Sequence, residues 1–237
     1  MTLPFFYLEE LDTNATTITL DEDTSKHVVS VLRMQVGEQL HLTDGKGNLL
    51  VAEITSDHKK KCEVAVRAVK FEHPPEKKIT LAISLLKNTS RFEWLLEKVT
   101  ELGISDVIPL ICERTEKTHF RHDRMQNIVV SALLQSQQSW MPQLHEPTSF
   151  EQVITGEAAA TAQKFIAHCM PDQKTNLVAL AGQTALAQLI CIGPEGDFTA
   201  GEVALALQHN FLPVSLGETR LRTETAGVVA ATVLKML

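Results

Sequence analysis

Across 237 residues no run approaches the ~20 consecutive apolar residues that span a bilayer. No membrane association is expected. The opening MTLPFFYLEELD has no basic segment ahead of its apolar residues and turns acidic at once, so no secretory leader is expected. Cysteine is scarce. Cys62, Cys112, Cys169 and Cys191 lie far apart and form no CxxC pair, which predicts reduced thiols in a cytoplasmic protein. The common catalytic and nucleotide signatures are missing too. There is no GxxxxGK[ST], no GxGxxG after an early strand, no HExxH and no GxSxG. No cluster of Cys and His stands out, and His168 beside Cys169 reads as the end of a buried strand, so no metal site is expected. Positive charge is also in short supply. The formal net charge of -7 argues against binding nucleic acid through global charge, while local basic patches remain open.

What is present suffices for a sizeable core: 44% of residues are hydrophobic and 22% charged. The length fits two modest domains or one large one. Residues 1 to about 72 are β-rich. TTITL, EQLHLTDGKGNLLVAEI and KCEVAVRAV alternate apolar and polar positions, and DGKGN (44–48) puts glycines where a hairpin needs positive φ. TSKHVVSVLRM before them has helical spacing. Short strands with tight turns predict a small barrel. FEHPPEKK (71–78) reads as a linker. From residue 79 strands alternate with helices, which predicts a mostly parallel sheet covered on both faces. TSRFEWLLEKVTELG is a predicted helix with a Ser90/Glu93 capping box and a stop at Gly103, and DRMQNIVVSALLQSQQSW is another. The chain has no internal repeat and no low-complexity segment.

Three stretches carry candidate chemistry. In LICIGPEGDFTAGEV (189–203) an apolar strand runs into Gly-Pro-Glu-Gly, and a helix starts at Thr199 with Glu202 completing a capping box. Taken alone, GPEG reads first as a tight turn. At the carboxyl end of a parallel strand it would also let a ligand meet bare backbone. In SLGETRLRTETAG (215–227) a strand ends at Gly217 and a helix starts near Thr223. Glu224 suits the dipole of that first turn, but a plain connection does not require Arg220 and Arg222. Two arginines beside a helix start can form an anion or nucleobase site. Ala226, Gly227, Ala230 and Ala231 keep one helix face small, for close packing within the chain or between subunits. The third feature is basic: Lys26, His27, Arg33 and Lys46 with Lys59–Lys61 in the first part, Lys87, Arg91, Arg114, Lys117, Arg121 and Arg124 in the second. Such runs are ordinarily solvated faces, and a shared RNA-facing groove is the alternative.

HVVSVLRMQVGEQLHLTDGKG, SRFEWLLEKVTELGISDVIPLICERT, CIGPEGDF and SLGETRLRTETA occur in that order. Together they resemble the RsmE family, 16S rRNA uridine-N3 methyltransferases of the SPOUT class, over nearly the whole chain. The resemblance implies an α/β fold with a C-terminal trefoil-knotted SPOUT methyltransferase domain (73–237) and a small N-terminal PUA-like β-barrel that binds RNA (1–72). It implies S-adenosyl-L-methionine as cofactor, 16S rRNA of the small ribosomal subunit as partner, and a homodimer. Carried over by position, the cofactor would sit among Ala167 and His168; Ile192, Gly193, Pro194 and Gly196; and Ser215, Leu216, Gly217, Leu221, Arg222 and Thr223. RNA would be met by Lys26, His27, Arg33, Lys46, Lys87, Arg91 and Arg114. Two departures stand out. Gln138 occupies the place of the family's arginine in Gln-Ser-Gly-Arg, and Asp197 follows Gly196 where the family has a second glycine.

Uridine N3 carries a proton near neutral pH, so its methylation needs the proton removed and the developing anion stabilised. An arginine could do the second, Arg222 first and Arg114 second. A carboxylate, Glu195 or Glu224, could act as base or orient that arginine. The target uridine must be unpaired or extruded, because N3 lies on its pairing edge.

Overall fold

The computed structural model describes residues 3–171, 174–182 and 185–237. The chain divides into two compact units. One comprises Met1–Pro74 with Leu133–Met141, the other Pro75–Ala132 with Pro142–Leu237.

The first unit is a five-stranded sheet in the order β1-β3-β4-β5-β2. Its strands are β1 (Phe5–Tyr7), β2 (Thr17–Thr19), β3 (Gln39–Thr43), β4 (Asn48–Ser56) and β5 (Glu63–Phe71). β1 runs parallel to β3 and the other pairs are antiparallel. Register shifts in β4 after Val51 and Ile54 bend the sheet around one core, which includes Phe6, Leu20, Val28, Leu40, Leu42, Leu50, Ile54 and Val64. The predicted hairpin forms at residues 44–48. Gly45 and Gly47 have φ of +69° and +94°, and the Asp44 carboxylate accepts from Lys46 N at 2.8 Å and Asn48 Nδ2 at 2.6 Å.

The helix predicted before these strands begins earlier than its spacing suggested. Asp21 caps α1 (Glu22–Lys26) by accepting from Thr24 N at 2.8 Å. A π-helical turn over His27–Val31 follows, and the chain turns out of it through Arg33 at φ +58°.

The second unit is an eight-stranded sheet whose pairings are all parallel. In chain order its elements are β6 (Lys78–Ser84), α2 (Thr89–Glu101), β7 (Asp106–Ile111), α3 (His122–Ser136, of which Leu133 onward belongs to the first unit), β8 (Gln143–Leu144), β9 (Thr148–Ser149), α4 (Phe150–Thr155), α5 (Glu157–Thr161), β10 (Gln163–Ala167), β11 (Thr175–Asn176), α6 (Leu177–Ala181), β12 (Ala187–Ile192), α7 (Ala200–Gln208), β13 (Leu212–Ser215) and α8 (Thr223–Met236). The order across the sheet is β11-β13-β10-β12-β6-β7-β8, with β9 also on β7.

Helices α2, α6 and α8 pack together on one face, while α4, α5 and α7 share a core with the strands through Phe150, Ile154, Phe198, Ala206 and Phe211. The small face of α8 lies within the chain. A Cβ on Gly227 would stand 2.6 Å from Ile83 Cδ1 and 2.8 Å from Leu95 Cδ1, so only glycine lets α8 lie this close to β6 and α2.

Two local expectations are corrected. The N-cap of α2 is Asn88, whose side chain accepts from Ser90 N at 3.0 Å, and Glu93 is drawn instead to Arg124 at 2.7 Å. The predicted helix through Trp140 ends at Ser136, and Gln137 takes φ +55°. Residues 139–141 pair with the hairpin instead: Gly47 N donates to Ser139 O and Met141 N to Gly45 O, both at 2.8 Å. Trp140 Nε1 donates to Glu72 O at 2.8 Å. Backbone groups satisfied by the hairpin have no need of a helix.

Candidate active site

Strands β10, β12 and β13 lie side by side and run in one direction, so the loops that leave their carboxyl ends converge. Ligands of open α/β sheets bind at that end. Here the loops enclose a cavity of about 660 Å³, lined by Ala167–Cys169, Ile192–Glu195 and the whole stretch Val214–Glu224. Its size lies within the roughly 300–1,000 Å³ of small-molecule sites.

Local chemistry fixes each loop. After β12, Asp197 N donates to Pro194 O at 2.9 Å and closes the GPEG turn. Gly193 is needed for packing, because a Cβ there would stand 3.1 Å from the buried Phe198 ring. The predicted Thr199/Glu202 capping box then starts α7: Thr199 N donates to Glu202 Oε2 at 2.8 Å, and Glu202 N to Thr199 Oγ1 at 3.3 Å. After β13 the backbone passes Gly217 at φ +137°, a conformation open to glycine, and enters α8 at Thr223.

Opposite charges are concentrated on one wall. Arg222 is exposed at the start of α8, and no carboxylate lies within ion-pair distance of it among the described residues. Glu224, in the first turn of the helix, is buried at 6% exposure. Its Oε1 stands 3.7 Å from Arg91 Nε, and its buried Oε2 has no hydrogen-bond partner. A buried carboxylate oxygen without a donor is costly, so this atom is set up to receive one. Glu195 stays exposed on the rim, where its Oε1 accepts from Lys87 N at 3.3 Å. A second cleft adjoins the first and shares Arg91 and Glu195 with it. Its other walls are Lys87, Asn88, Thr89, Glu116 and Lys117. Lys117 Nζ donates to Thr89 Oγ1 at 2.9 Å, and Lys87 pairs with Glu116 at 2.7 Å.

Eleven of the twelve residues predicted to hold a cofactor line the cavity at the β10, β12 and β13 ends; the exception is the exposed Gly196. Arg222, Glu195 and Glu224 also line it, and Arg114 does not. The Arg114 guanidinium donates to Gly196 O at 2.8 Å, and its stem covers Gly196. Lys87 and Arg91 lie at the second cleft. Lys26, His27, Arg33 and Lys46 belong to the other unit, on the α1–π-helical segment, the bend after it and the hairpin. Sequence reasoning missed Cys169, Lys174 and Asp197 as cavity residues. Lys174 belongs to no motif and carried no signal, whereas Asp197, inside a glycine turn, could have been suspected of left-handed backbone; its φ is +64°.

A family described as the RNA methyltransferase domain matches residues 73–235. The chain belongs to this RNA methyltransferase family. The RNA methyltransferase PUA domain matches residues 20–67. Among individual members, ribosomal RNA small subunit methyltransferase E of Synechocystis is 33% identical over 90% of this chain and 71% of its own. A Porphyromonas gingivalis chain described as a probable rRNA-methyltransferase has 35% identity and a TM-score of 0.89, with 99% of both chains covered. Ribosomal RNA small subunit methyltransferase E of Neisseria gonorrhoeae, solved with S-adenosyl methionine bound, has 28% identity and a TM-score of 0.85 over 99% of this chain and 98% of its own.

Proposed function

We propose that this chain is an S-adenosyl-L-methionine-dependent methyltransferase that modifies N3 of a specific uridine in 16S rRNA of the small ribosomal subunit. The observation that carries the reading is the cavity at the carboxyl ends of β10, β12 and β13, walled by glycine-bearing loops and by an exposed arginine beside a buried, half-satisfied carboxylate. Family membership and the S-adenosyl methionine bound by the Neisseria relative support it.

The donor set fits the cofactor. Gly193 and Gly217 leave backbone open where an adenosine can approach. Leu216, Leu221 and Ala226 supply apolar wall. S-adenosyl-L-methionine supplies an electrophilic methyl group when bound. The chain's own residues do the rest. Arg222 stabilises the negative charge that develops on the uracil carbonyl oxygens as N3 loses its proton. Glu224 accepts that proton, and Arg91 holds the carboxylate in place. Lys87, Arg91 and Lys117 carry the RNA backbone at the second cleft, and Glu195 stands between the two clefts. Gly196, held by Arg114, sets the turn beneath the cavity.

The finer architecture belongs to the same reading. Residues 1–72 form a PUA-like barrel that presents Lys26, His27, Arg33 and Lys46 to RNA, and residues 73–237 form a knotted SPOUT domain. The return of the chain from β13 across to α8, which packs on β6 and α2, supports a trefoil crossing at residues 215–222. The enzyme works as a cytoplasmic homodimer. Exposed Trp94 on α2 and Met236 and Leu237 at the end of α8 offer apolar surface for a second copy.

The test is methyl transfer from labelled S-adenosylmethionine to small ribosomal subunits that lack the modification, mapped by reverse-transcriptase stops. A stop at a single 16S uridine is expected. Binding of the cofactor without transfer would refute the substrate assignment. In the same assay Arg222→Ala and Glu224→Gln are expected to lower kcat by about 10²–10³ and 10²–10⁴ respectively, with cofactor affinity close to wild type. Full turnover in either variant would overturn that residue's role.

A further inference from the structure

The loop that leaves β10 is held by charged side chains from both sides. Asp197 Oδ2 accepts from Cys169 N at 2.9 Å, across from the GPEG loop, while Oδ1 accepts from Phe198 N at 2.9 Å. Lys174 Nζ donates to His168 O at 3.0 Å and to Met170 O at 2.6 Å. One amide and the two flanking carbonyls of His168–Met170 are therefore taken by charge-assisted bonds, roughly twice as strong as neutral ones. Four of the residues in these bonds, Asp197, Lys174, His168 and Cys169, line the cavity at the β10, β12 and β13 ends. The backbone cost is accepted as well, because Asp197 sits at φ +64°, where glycine would be unstrained.

We propose that Asp197 and Lys174 are positioning residues that preform the His168–Met170 wall of the cofactor site, Asp197 by tying it to the GPEG loop and Lys174 by bracing it from further along its own loop. The inference rests on the reading of that cavity as the S-adenosylmethionine site. The loop of the free protein is already in its binding geometry, so less ordering is charged to cofactor binding. Removing either tie leaves the groups that touch the reacting atoms in place, but makes the loop order itself when the cofactor arrives. The signature is a weaker cofactor affinity with an unchanged chemical step.

The glycine variant separates this from a structural role. Asp197→Gly keeps the left-handed turn and relieves its strain while deleting both acceptors. It is expected to melt at or above the wild-type temperature, yet to raise the Kd and KM for S-adenosylmethionine about five- to tenfold, with kcat at saturating cofactor within about twofold. Asp197→Asn keeps one acceptor and should recover part of the loss. Lys174→Met should raise Kd in the same direction. Cys169 gives an independent readout, since it is exposed while Cys62, Cys112 and Cys191 are buried. Its labelling by a thiol reagent in the cofactor-free full chain is expected to speed up several-fold in Asp197→Gly and to be slowed by S-adenosylmethionine in the wild type. Wild-type cofactor binding with an unchanged Kd in Asp197→Gly and Lys174→Met overturns the positioning role alone. A wild type that binds no S-adenosylmethionine overturns the assignment of the cavity, and the positioning role with it.

Discussion

Gly227→Ala tests how tightly the fold couples α8 to the active site. The added Cβ would stand 2.6 Å from Ile83 Cδ1 and 2.8 Å from Leu95 Cδ1, about 1 Å inside ordinary contact. Both neighbours are fully buried, so neither side chain can swing into solvent. Overpacking of this kind costs about 1–3 kcal/mol. Alanine in place of a mid-helix glycine returns about 0.5–1 kcal/mol. The net expectation is a loss of about 1–2 kcal/mol, or ~3–6 °C in Tm for a chain of this size. The control is Gly201→Ala in α7, where the nearest atom is Thr199 Oγ1 at 3.9 Å. That variant gains helix propensity without a clash, so its Tm should hold or rise. The second assay is cofactor affinity. Arg222, Thr223 and Glu224 occupy the helix start immediately before Gly227, and a shift of about 1 Å moves them against the loops after β10 and β12. Cofactor binding should weaken in Gly227→Ala and stay normal in Gly201→Ala. If Gly227→Ala melts no lower than Gly201→Ala, the close approach of α8 to β6 is not what the structure describes, and the argument for a rigid pocket wall fails.

Further expectations follow from single groups. Asp106 is buried, which by itself raises its pKa, but hydrogen bonds from His145 and Lys78 outweigh burial and hold it below the ordinary aspartate value. Its contribution to stability is therefore complete above the unfolded aspartate pKa and disappears as pH falls through the lower folded one. Asp106→Asn should cost about 1–3 kcal/mol near neutral pH and flatten the acid limb of a stability-against-pH curve. A variant as stable as wild type at pH 7 would contradict this. Native thiol titration should count one fast cysteine, Cys169, because burial raises the Cys191 thiol and pushes Cys112 up to about 12. Four fast thiols in the folded protein would contradict the fold. Gly47→Ala should destabilise the first unit by more than a surface change would. Its Cβ would meet Glu72 O at 2.6 Å and Trp140 Cζ2 at 2.7 Å at a positive φ, so melting of the variant within 1–2 °C of wild type would refute that packing. Finally, the net charge of -7 predicts a shallow salt dependence of RNA binding, with ~0.7–0.9 in log–log slope per phosphate contact. A slope near ten would rule out recognition of a shaped surface through few contacts.

Much of this was written locally in the chain. Alternating apolar residues and the glycines of DGKGN specified the β3–β4 hairpin, and Thr199 with Glu202 specified the start of α7, because each depends on neighbours a few residues away. The run of strand and helix patterns from residue 79 specified a parallel sheet, since parallel strands need crossovers. The two glycine-bearing loops could be nominated as a ligand site for the same reason. The tertiary structure decided the rest. It chose Asn88 over Ser90 as the cap of α2 by giving Glu93 to Arg124, thirty-one residues away. It drew residues 139–141 out of a helical pattern because the hairpin offered their backbone better partners. It turned Arg114 onto Gly196 O and left Glu224 beside Arg91, contacts across 82 and 133 positions that no periodicity encodes. Asp197 gained its place in the wall only when the β10 and β12 loops came side by side. Local sequence fixes conformations whose free energy is settled within a turn or two. Long-range partners are settled by which elements the sheet order makes neighbours, and that order is a property of the packed chain as a whole.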